Sequence, residues 1–499
     1  MRLKLEGNIN VYYVQTLCMI FFPGEKFGAT EQENPDSPEL SLKLIQSEEG
    51  MTAEVFVSCK QKTAQASKTL PFTEYYDKEK TAKMACGAAI VAACGELKGY
   101  RPSWGMLTGV RPSKVATELL QSGLSKTKVK RILTGDYLAI PKKAALATDV
   151  AINEQRLIGT PGKKDCSVYV AIPFCPSRCS YCSFVSYTSP KLLSLIPEYL
   201  EHLIVDLEKT FAKIRDLGLN VRTIYIGGGT PTILTADQLR LLLSKIAELT
   251  DVRTLEEYTL ESGRPDTITA EKLAVAAEYG VSRICVNPQS LCNDVLREIG
   301  RSHTAQDFLD AYEIAKNSGI PCINTDLIVG LPGDDFKTFS ATFDKILSLH
   351  PENITVHTFC VKKAADILKQ GSHVYSLRGG DSGKCVDYTQ LRAQENGYKP
   401  YYMYRQKNTV GNFENVGFAI DGMEGKYNIY MMEEVHSIFA VGAGAVSKMV
   451  EYRPIKGGKP HIERLFYPKY PYEYLKDEST DEKIAAMEAF YCENGLLDD

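Results

Sequence analysis

The sequence predicts an α/β protein built on a partial (β/α)6 barrel of parallel strands, with an N-terminal α+β domain and a small C-terminal domain. Three observations predict it. From Cys166 onward, strand-like runs and helical stretches alternate regularly, the pattern of parallel βα units. Right-handed crossovers curl such units into a barrel or part of one. The glycine, cysteine and charged motifs fall at or just beyond the carboxyl ends of those strands, the face on which βα barrels build their sites. The alternation is absent from the first 160 residues and breaks after about residue 375. These breaks set the expected domains at 1–160, 161–375 and 376–499.

Residues 1 to about 75 read as β-rich, with strand-like runs at 8–22 and 52–59 flanking a polar loop at 28–38. A helix is expected over 78–97, KEKTAKMACGAAIVAACGEL. Cys86 and Cys94 stand eight apart on it, so they share one face and read as core. The segment 100–114, YRPSWGMLTGVRPSK, carries the single tryptophan, Trp104, and two Arg-Pro pairs. It reads as a turn-rich connection, or a docking surface, leading into a helix at 115–122. Residues 160–164, TPGKK, form a linker.

Barrel strands are expected at 168–174, 223–226, 258–261, 283–287, 323–329 and 354–360. Helices are expected between them at 192–217, 236–249, 270–279, 305–318 and 336–349. Beyond the barrel, 397–428 is rich in Tyr, Gly and Asn, and FAVGAGAVS at 439–447 offers a small-residue turn. The tail from Asp481 reads as a short amphipathic helix.

Composition narrows the class. Lys and Arg number 58 against 62 for Asp and Glu, a net charge of −4, without the basic footprint that phosphate binding leaves. Nucleic acid is therefore not an expected partner. The most apolar early stretch, 11–22, is too short to span a membrane, and no small-residue cleavage site clearly follows it. Fourteen cysteines in a chain of 499 residues then point to a reducing, cytoplasmic setting. Most of those outside the motif below read as small buried hydrophobes.

The chemistry centres on VYVAIPFCPSRCSYCSF, where the first strand opens into Cys175, Cys179 and Cys182 at C-x3-C-x2-C spacing. Three thiolates on one loop can converge on an iron–sulfur cube, which leaves one iron without a protein ligand and free to activate a small molecule. A zinc site or three incidental thiols is the alternative, but zinc usually takes four ligands in two pairs, and no second pair is seen. GGGTPT at 227–232 follows the second strand. Its glycines remove side chains so that a ligand can approach bare amides, and Thr230 adds a hydroxyl. Glu261, in TLESGRPD, suits a cationic ammonium group, or else a salt bridge with Arg264 or Arg283. Gln289, Arg301 in IGRSH and Asp326 in NTDLIVGLP complete a polar ring, the Arg suiting a ligand carboxylate and the Asp ribose hydroxyls.

These motifs, in this order, resemble the oxygen-independent coproporphyrinogen III oxidase family of radical S-adenosylmethionine (SAM) enzymes over about residues 166–450. LTGVRPSK and YYMYRQKN resemble more narrowly the longer coproporphyrinogen dehydrogenase branch of Gram-positive bacteria. The resemblance implies a radical SAM partial barrel in which Cys175, Cys179 and Cys182 ligate a [4Fe-4S] cluster and SAM chelates the open iron. Tyr169, Gly228, Gly229, Thr230, Glu261, Gln289, Arg301 and Asp326 match SAM-binding positions, some of them for a second SAM molecule, and Cys360 falls near another. The implied reaction cleaves SAM to a 5′-deoxyadenosyl radical that takes hydrogen from a propionate of coproporphyrinogen III. Loss of CO2 and one electron leaves a vinyl group, and repetition gives protoporphyrinogen IX.

The implied partners are that tetrapyrrole substrate and a reducing electron donor of flavodoxin or ferredoxin type. Two positions depart from the best-understood oxidases: Ala171 replaces a histidine and Phe184 a fourth cysteine. Relatives that act as heme chaperones share the second departure, so a heme-delivering protein is the alternative. Arg178, Lys362, Lys363, Arg405 and Lys407 are the candidate cations for substrate propionates.

Overall fold

The computed structural model describes residues 1–27, 37–73, 76–360, 381–406, 409–453 and 460–496. It divides into two units, Met1–Ile152 with Met403–Glu414, and Asn153–Tyr402 with Asn415–Asp499. Among the described residues no helix is long and apolar enough to cross a membrane.

The first unit contains a four-stranded sheet of β1 (Arg2–Glu6), β2 (Glu39–Gln46), β3 (Gly50–Cys59) and β4 (Lys62–Pro71), in that spatial order. β1 runs parallel to β2, and the other pairs are antiparallel. The helix Lys78–Lys98 packs on β3 and β4 and buries Cys86 and Cys94 in the core.

The run at 8–22 corrects the sequence reading: it is a helix, Val11–Phe21, and not a strand. Its aromatic and β-branched composition favours a strand. Yet the buried residues Tyr13, Val14, Leu17, Cys18 and Phe21 recur at helical spacing. Asn10 starts the helix, its side chain accepting from the Tyr13 amide at 3.0 Å. Burial pattern and cap outweigh composition here.

Residues 403–414, expected in the C-terminal domain, belong to this first unit. Glu414 lies buried in it and accepts from Lys143 Nζ at 2.6 Å and from Trp104 Nε1 at 2.8 Å. Trp104 is thus core rather than a connector or docking surface. Arg405 is buried as well; its Nη2 donates to the carbonyls of Leu107 and Gly109, and its guanidinium lies 5.9 Å from the Trp104 ring centre. It serves packing of this unit and is not an exposed propionate cation. Removing Glu414 leaves the Lys143 ammonium buried without that anion, a change that costs about 3–5 kcal/mol. In urea unfolding followed by the fluorescence of Trp104, Glu414→Ala should therefore lower the midpoint markedly. An unshifted midpoint would show that the pair adds nothing.

The second unit carries the expected barrel strands: β5 (Asp165–Ile172), β6 (Asn220–Gly228), β7 (Glu257–Glu261), β8 (Arg283–Cys285), β9 (Cys322–Val329) and β10 (Asn353–Thr358). They lie side by side in sequence order, all parallel. Helices Ile196–Asp216, Ala236–Leu249, Ala270–Glu278, Ala305–Lys316 and Phe336–Ser348 connect them. Three of these begin with reciprocal side-chain capping, Thr235 with Gln238, Thr304 with Asp307 and Asp335 with Thr338, which fixes where each helix starts.

The C-terminal chain adds β11 (Lys399–Tyr404), β12 (Asn415–Ala419), β13 (Ser437–Val441), β14 (Val446–Val450) and β15 (Ile462–Phe466). β12 pairs antiparallel with β10, with β11 outside it. β13 pairs parallel with β5, with antiparallel β14 and β15 beyond. The sheet is therefore open, a partial barrel widened at both edges by strands that follow the break in alternation. FAVGAGAVS is not only a turn, since it supplies most of the strand beside β5 and the start of the next.

Candidate active site

Register brings the motif residues to one end of this sheet. Tyr169 pairs with Tyr225, Ala171 with Gly227 and Glu261 with Cys285. Because side chains alternate along a strand, residues two apart on β5 to β9 share a face. Glu261 ends β7 as expected. Asp326 instead lies inside β9, three residues short of its end, on the same face as Asn324.

The cysteine loop starts beyond Ile172 and is held by its backbone. The Cys175 amide donates to the Tyr187 carbonyl at 3.0 Å, Tyr187 to Pro173 at 2.9 Å, and Ser180 to Ile299 at 3.0 Å. Cys175 and Cys179 are buried and Cys182 is half-buried. Each sulfur has a neighbour placed to donate: the Thr230 hydroxyl lies 3.2 Å from Cys175 Sγ, Arg264 Nη1 lies 3.5 Å from Cys179 Sγ, and Cys182 receives the Phe184 amide. Burial pushes the Cys175 thiol up to about 11, so a metal must displace that proton to gain a thiolate ligand. Among the described residues no three His, Cys, Asp or Glu side chains close on a single ion. An iron–sulfur cube, by contrast, spreads its thiolates over separate irons.

The glycines act differently from the sequence reading. A Cβ on Gly227 would stand 2.9 Å from Glu261 Oε2 and 2.8 Å from the Tyr225 ring, and one on Gly229 2.4 Å from the Phe174 carbonyl oxygen. Gly228 has φ +111°, a conformation that L side chains rarely adopt. Their amides are not bare. Gly229 donates to Ile172 at 2.8 Å, Thr230 to Phe174 at 2.7 Å, and the Gly228 amide hydrogen-bonds Glu261. The glycines therefore let β6 close tightly on the cysteine loop and make room for the Glu261 carboxylate.

Glu261 pairs with neither candidate arginine. Arg264 pairs with Asp266, and Arg283 donates to Cys322 Sγ and the Met423 carbonyl. Its Oε1 instead accepts from Tyr225 at 2.5 Å. Burial, with added repulsion from Asp326, lifts its pKa to about 7 although Tyr225 and the Gly228 amide pull it down. Tyr225 lies in a stack with Tyr169 and Tyr427, with ring centres 6.0 and 4.6 Å away. Asp326 has the opposite balance: burial raises its pKa, but hydrogen bonds from His357, Asn324 and Thr355 hold it below the usual carboxylate range. Asn287 Nδ2 also donates to it at 2.9 Å.

Gln289 has φ +66°, a non-glycine strain that costs about 1–3 kcal/mol. Its backbone pairs with Asp326 and Ile328 of β9, while its Oε1 is buried and accepts no hydrogen bond. The Ser262 and Ser180 hydroxyls are likewise buried without hydrogen-bond partners. Burial and the Arg301 guanidinium push His303 down to about 4, which keeps its imidazole neutral. Arg301 is buried; it donates to the Tyr181 hydroxyl at 3.0 and 3.2 Å and to the Gly263 carbonyl at 3.0 Å, tying the cysteine loop to the ring. Orphaned buried polar atoms are costly, and here they collect around Gln289, Arg301 and the cysteine loop. The donor and acceptor set fits a polar ligand such as SAM next to a thiolate-bound cluster.

The contacts above join Thr230 to Cys175, Tyr225 and the Gly228 amide to Glu261, Tyr169 to Tyr225, Arg301 to Tyr181 of the cysteine loop, and the Gln289 backbone to Asp326. Sequence reading missed Tyr225, Asn287, His303, His357 and Tyr427, and it weighed Arg264 only as a partner for Glu261. Of these, His303 stood in a quoted motif, IGRSH, while Tyr181 and Arg264 stand inside VYVAIPFCPSRCSYCSF and TLESGRPD. Arg178 is exposed on the cysteine loop, and Cys360 is half-buried just past β10. Lys362, Lys363 and Lys407 lie outside the described residues.

Three comparisons bear on this arrangement. The radical SAM superfamily profile matches residues 169–346. The oxygen-independent coproporphyrinogen-III oxidase-like protein HemZ of Bacillus subtilis is 38% identical over 401 residues, 79% of this chain and 78% of its own length. The heme chaperone HemW of the same organism is 32% identical over 325 residues, 64% of this chain and 80% of its own. Among solved structures, the radical SAM enzyme coproporphyrinogen III oxidase (HemN) of Escherichia coli matches at 19% identity with a TM-score of 0.49, over 67% of this chain and 73% of that one.

Proposed function

The chain belongs to the oxygen-independent coproporphyrinogen III oxidase family of radical SAM proteins, and from that premise we propose that it decarboxylates coproporphyrinogen III oxidatively to protoporphyrinogen IX. The observation that carries this reading is the buried, unpartnered Oε1 of Gln289, set in a ring with Glu261, Arg301 and Asp326 beside three cysteines. Cys175, Cys179 and Cys182 would hold the [4Fe-4S] cluster that the family implies, with SAM bound beside it. When bound, the two would supply the radical chemistry that begins decarboxylation of a propionate side chain.

The chain's own residues bind and orient. Glu261 as carboxylate takes the SAM ammonium, and Arg301, braced by Tyr181 and Gly263, takes its carboxylate. Asp326, held ionised by Asn287, Asn324 and His357, accepts ribose hydroxyls. Tyr169 offers a ring for apolar contact, and Gln289 an amide fixed by its backbone pairing with β9.

The test is an anaerobic assay of reconstituted protein with SAM, dithionite and coproporphyrinogen III, followed by mass spectrometry. Protoporphyrinogen IX with CO2 is the expected outcome. Formation of 5′-deoxyadenosine with no decarboxylated tetrapyrrole would overturn the substrate assignment. One specific observation favours a second reading, a heme-delivering protein: Phe184 stands where the oxidases carry a fourth cysteine, as in the chaperone relatives. Stoichiometric heme binding in a preparation that forms no protoporphyrinogen IX would select it.

A further inference from the structure

Arg264 follows β7 in the TLESGRPD motif, and its side chain is only 4% exposed. A buried guanidinium must spend its five N–H groups on the protein around it, and this one spends them on three segments. Nε and Nη2 grip the two oxygens of Asp266, each at 3.0 Å, in the fork geometry that neutralises its charge. Nη2 also donates to Ser302 Oγ at 2.6 Å, one residue from Arg301, and to Ser177 Oγ at 2.9 Å. Nη1 donates to the Ser177 carbonyl at 3.3 Å and to Cys179 Sγ at 3.5 Å. Ser302 closes the network by donating to Asp266 at 3.1 Å.

The three cysteines therefore differ in what they receive. Cys175 has a neutral hydroxyl and Cys182 a backbone amide; Cys179 takes its hydrogen bond from a guanidinium. Hydrogen bonds to cluster sulfurs and nearby charge set the reduction potential of an iron–sulfur centre, and outer partners of this kind also orient the ligand. Reduction adds one negative charge to the cluster, so a guanidinium at a ligand sulfur stabilises the reduced state more than the oxidised one.

We infer that Arg264 is a positioning and potential-setting residue for this cluster: it raises the cluster's reduction potential through Cys179 and pins the CPSRC half of the loop. Asp266 opposes it, moderating the positive field while holding the fork in place. The inference rests on the proposed role of the three cysteines as cluster ligands.

The experiment is a redox titration of the anaerobically reconstituted full-length protein, with the reduced cluster followed by electron paramagnetic resonance and iron and sulfide measured in each sample. Arg264→Gln should shift the reduction equilibrium at least tenfold toward the oxidised cluster, about 59 mV lower for a one-electron couple. Arg264→Lys, which keeps a charge without the fork, should shift it less in the same direction. Asp266→Asn, which removes the carboxylate and keeps the guanidinium, should move it the opposite way. A merely structural role would lower cluster content in all three without opposing shifts. Should Arg264→Gln fail to fold or to hold iron, the other two variants decide by the sign of their shifts. Variants that hold a full cluster at the wild-type potential would overturn the inference. A wild-type protein that assembles no iron–sulfur cluster would instead overturn the reading beneath it.

Discussion

Cys179→Ala, reconstituted with iron and sulfide, should hold iron only at background and form no 5′-deoxyadenosine from SAM and dithionite. The substitution removes one sulfur from a loop whose backbone is already fixed by the Cys175–Tyr187, Tyr187–Pro173 and Ser180–Ile299 hydrogen bonds. Folding should therefore survive, with circular dichroism and Trp104 fluorescence unchanged. Two remaining thiolates from this loop are too few to hold a four-iron cluster, so the loss should be complete rather than graded. Cys166→Ala is the matched control. Cys166 lies fully buried in β5, away from the loop, and its replacement should leave iron content at the wild-type level. Iron retained in Cys179→Ala at the level of this control would show that the ligand set is wrong.

The second large effect is a pH dependence of SAM binding that belongs to Glu261. Its pKa is lifted to about 7, first by burial and then by Asp326, against the pull of Tyr225 and the Gly228 amide. If Glu261 takes the SAM ammonium, the carboxylate form is required. Below about pH 7 a proton must leave before SAM binds, and affinity should fall tenfold for each further pH unit. Above that it should level off.

The same shift has a sign for the free protein. The native state keeps the Glu261 proton up to about pH 7, while the unfolded chain releases it near 4.5. The native state binds more protons across that window, so this group's contribution to stability falls as pH rises through it. SAM should therefore stabilise the protein more at pH 8 than at pH 6, the reverse of the trend without it. Isothermal titration calorimetry across the neutral range checks the binding curve. Glu261→Gln should flatten it and weaken binding by about 1.5–3 kcal/mol, the contribution of a hydrogen bond to a charged group. Tyr225→Phe, which removes the 2.5 Å hydrogen bond holding the carboxylate ionised, should move the midpoint to higher pH. A pH-independent wild-type affinity would remove Glu261 from the ammonium site.

Much of this protein was legible in its sequence because its signals are local. Three cysteines at C-x3-C-x2-C, glycines closing a strand and reciprocal caps such as Thr235–Gln238 are decided within a few residues. The six barrel strands and the helices joining them likewise follow from short-range periodicity, and their parallel order from the alternation itself. Where propensity and period disagreed, as at Val11–Phe21, the burial of Tyr13, Val14, Leu17, Cys18 and Phe21 settled a helix that composition concealed.

What the tertiary structure alone decided involves partners far apart in the chain. β13 joins β5 across some 270 residues of sequence, and Glu414 reaches Lys143 and Trp104 in the first unit; no local pattern encodes either. The same holds at the site. The sequence named Glu261, but only packing against Tyr225 and Asp326 gives it a pKa near neutrality. It named the glycines, but only the approach of Phe174 and Ile172 shows that their amides are already taken. Arg264 reads as an ordinary loop cation until burial forces its guanidinium to find Asp266, Ser177, Ser302 and Cys179. Residue type sets what chemistry is available; desolvation and the neighbours that folding brings together set its charge state and direction.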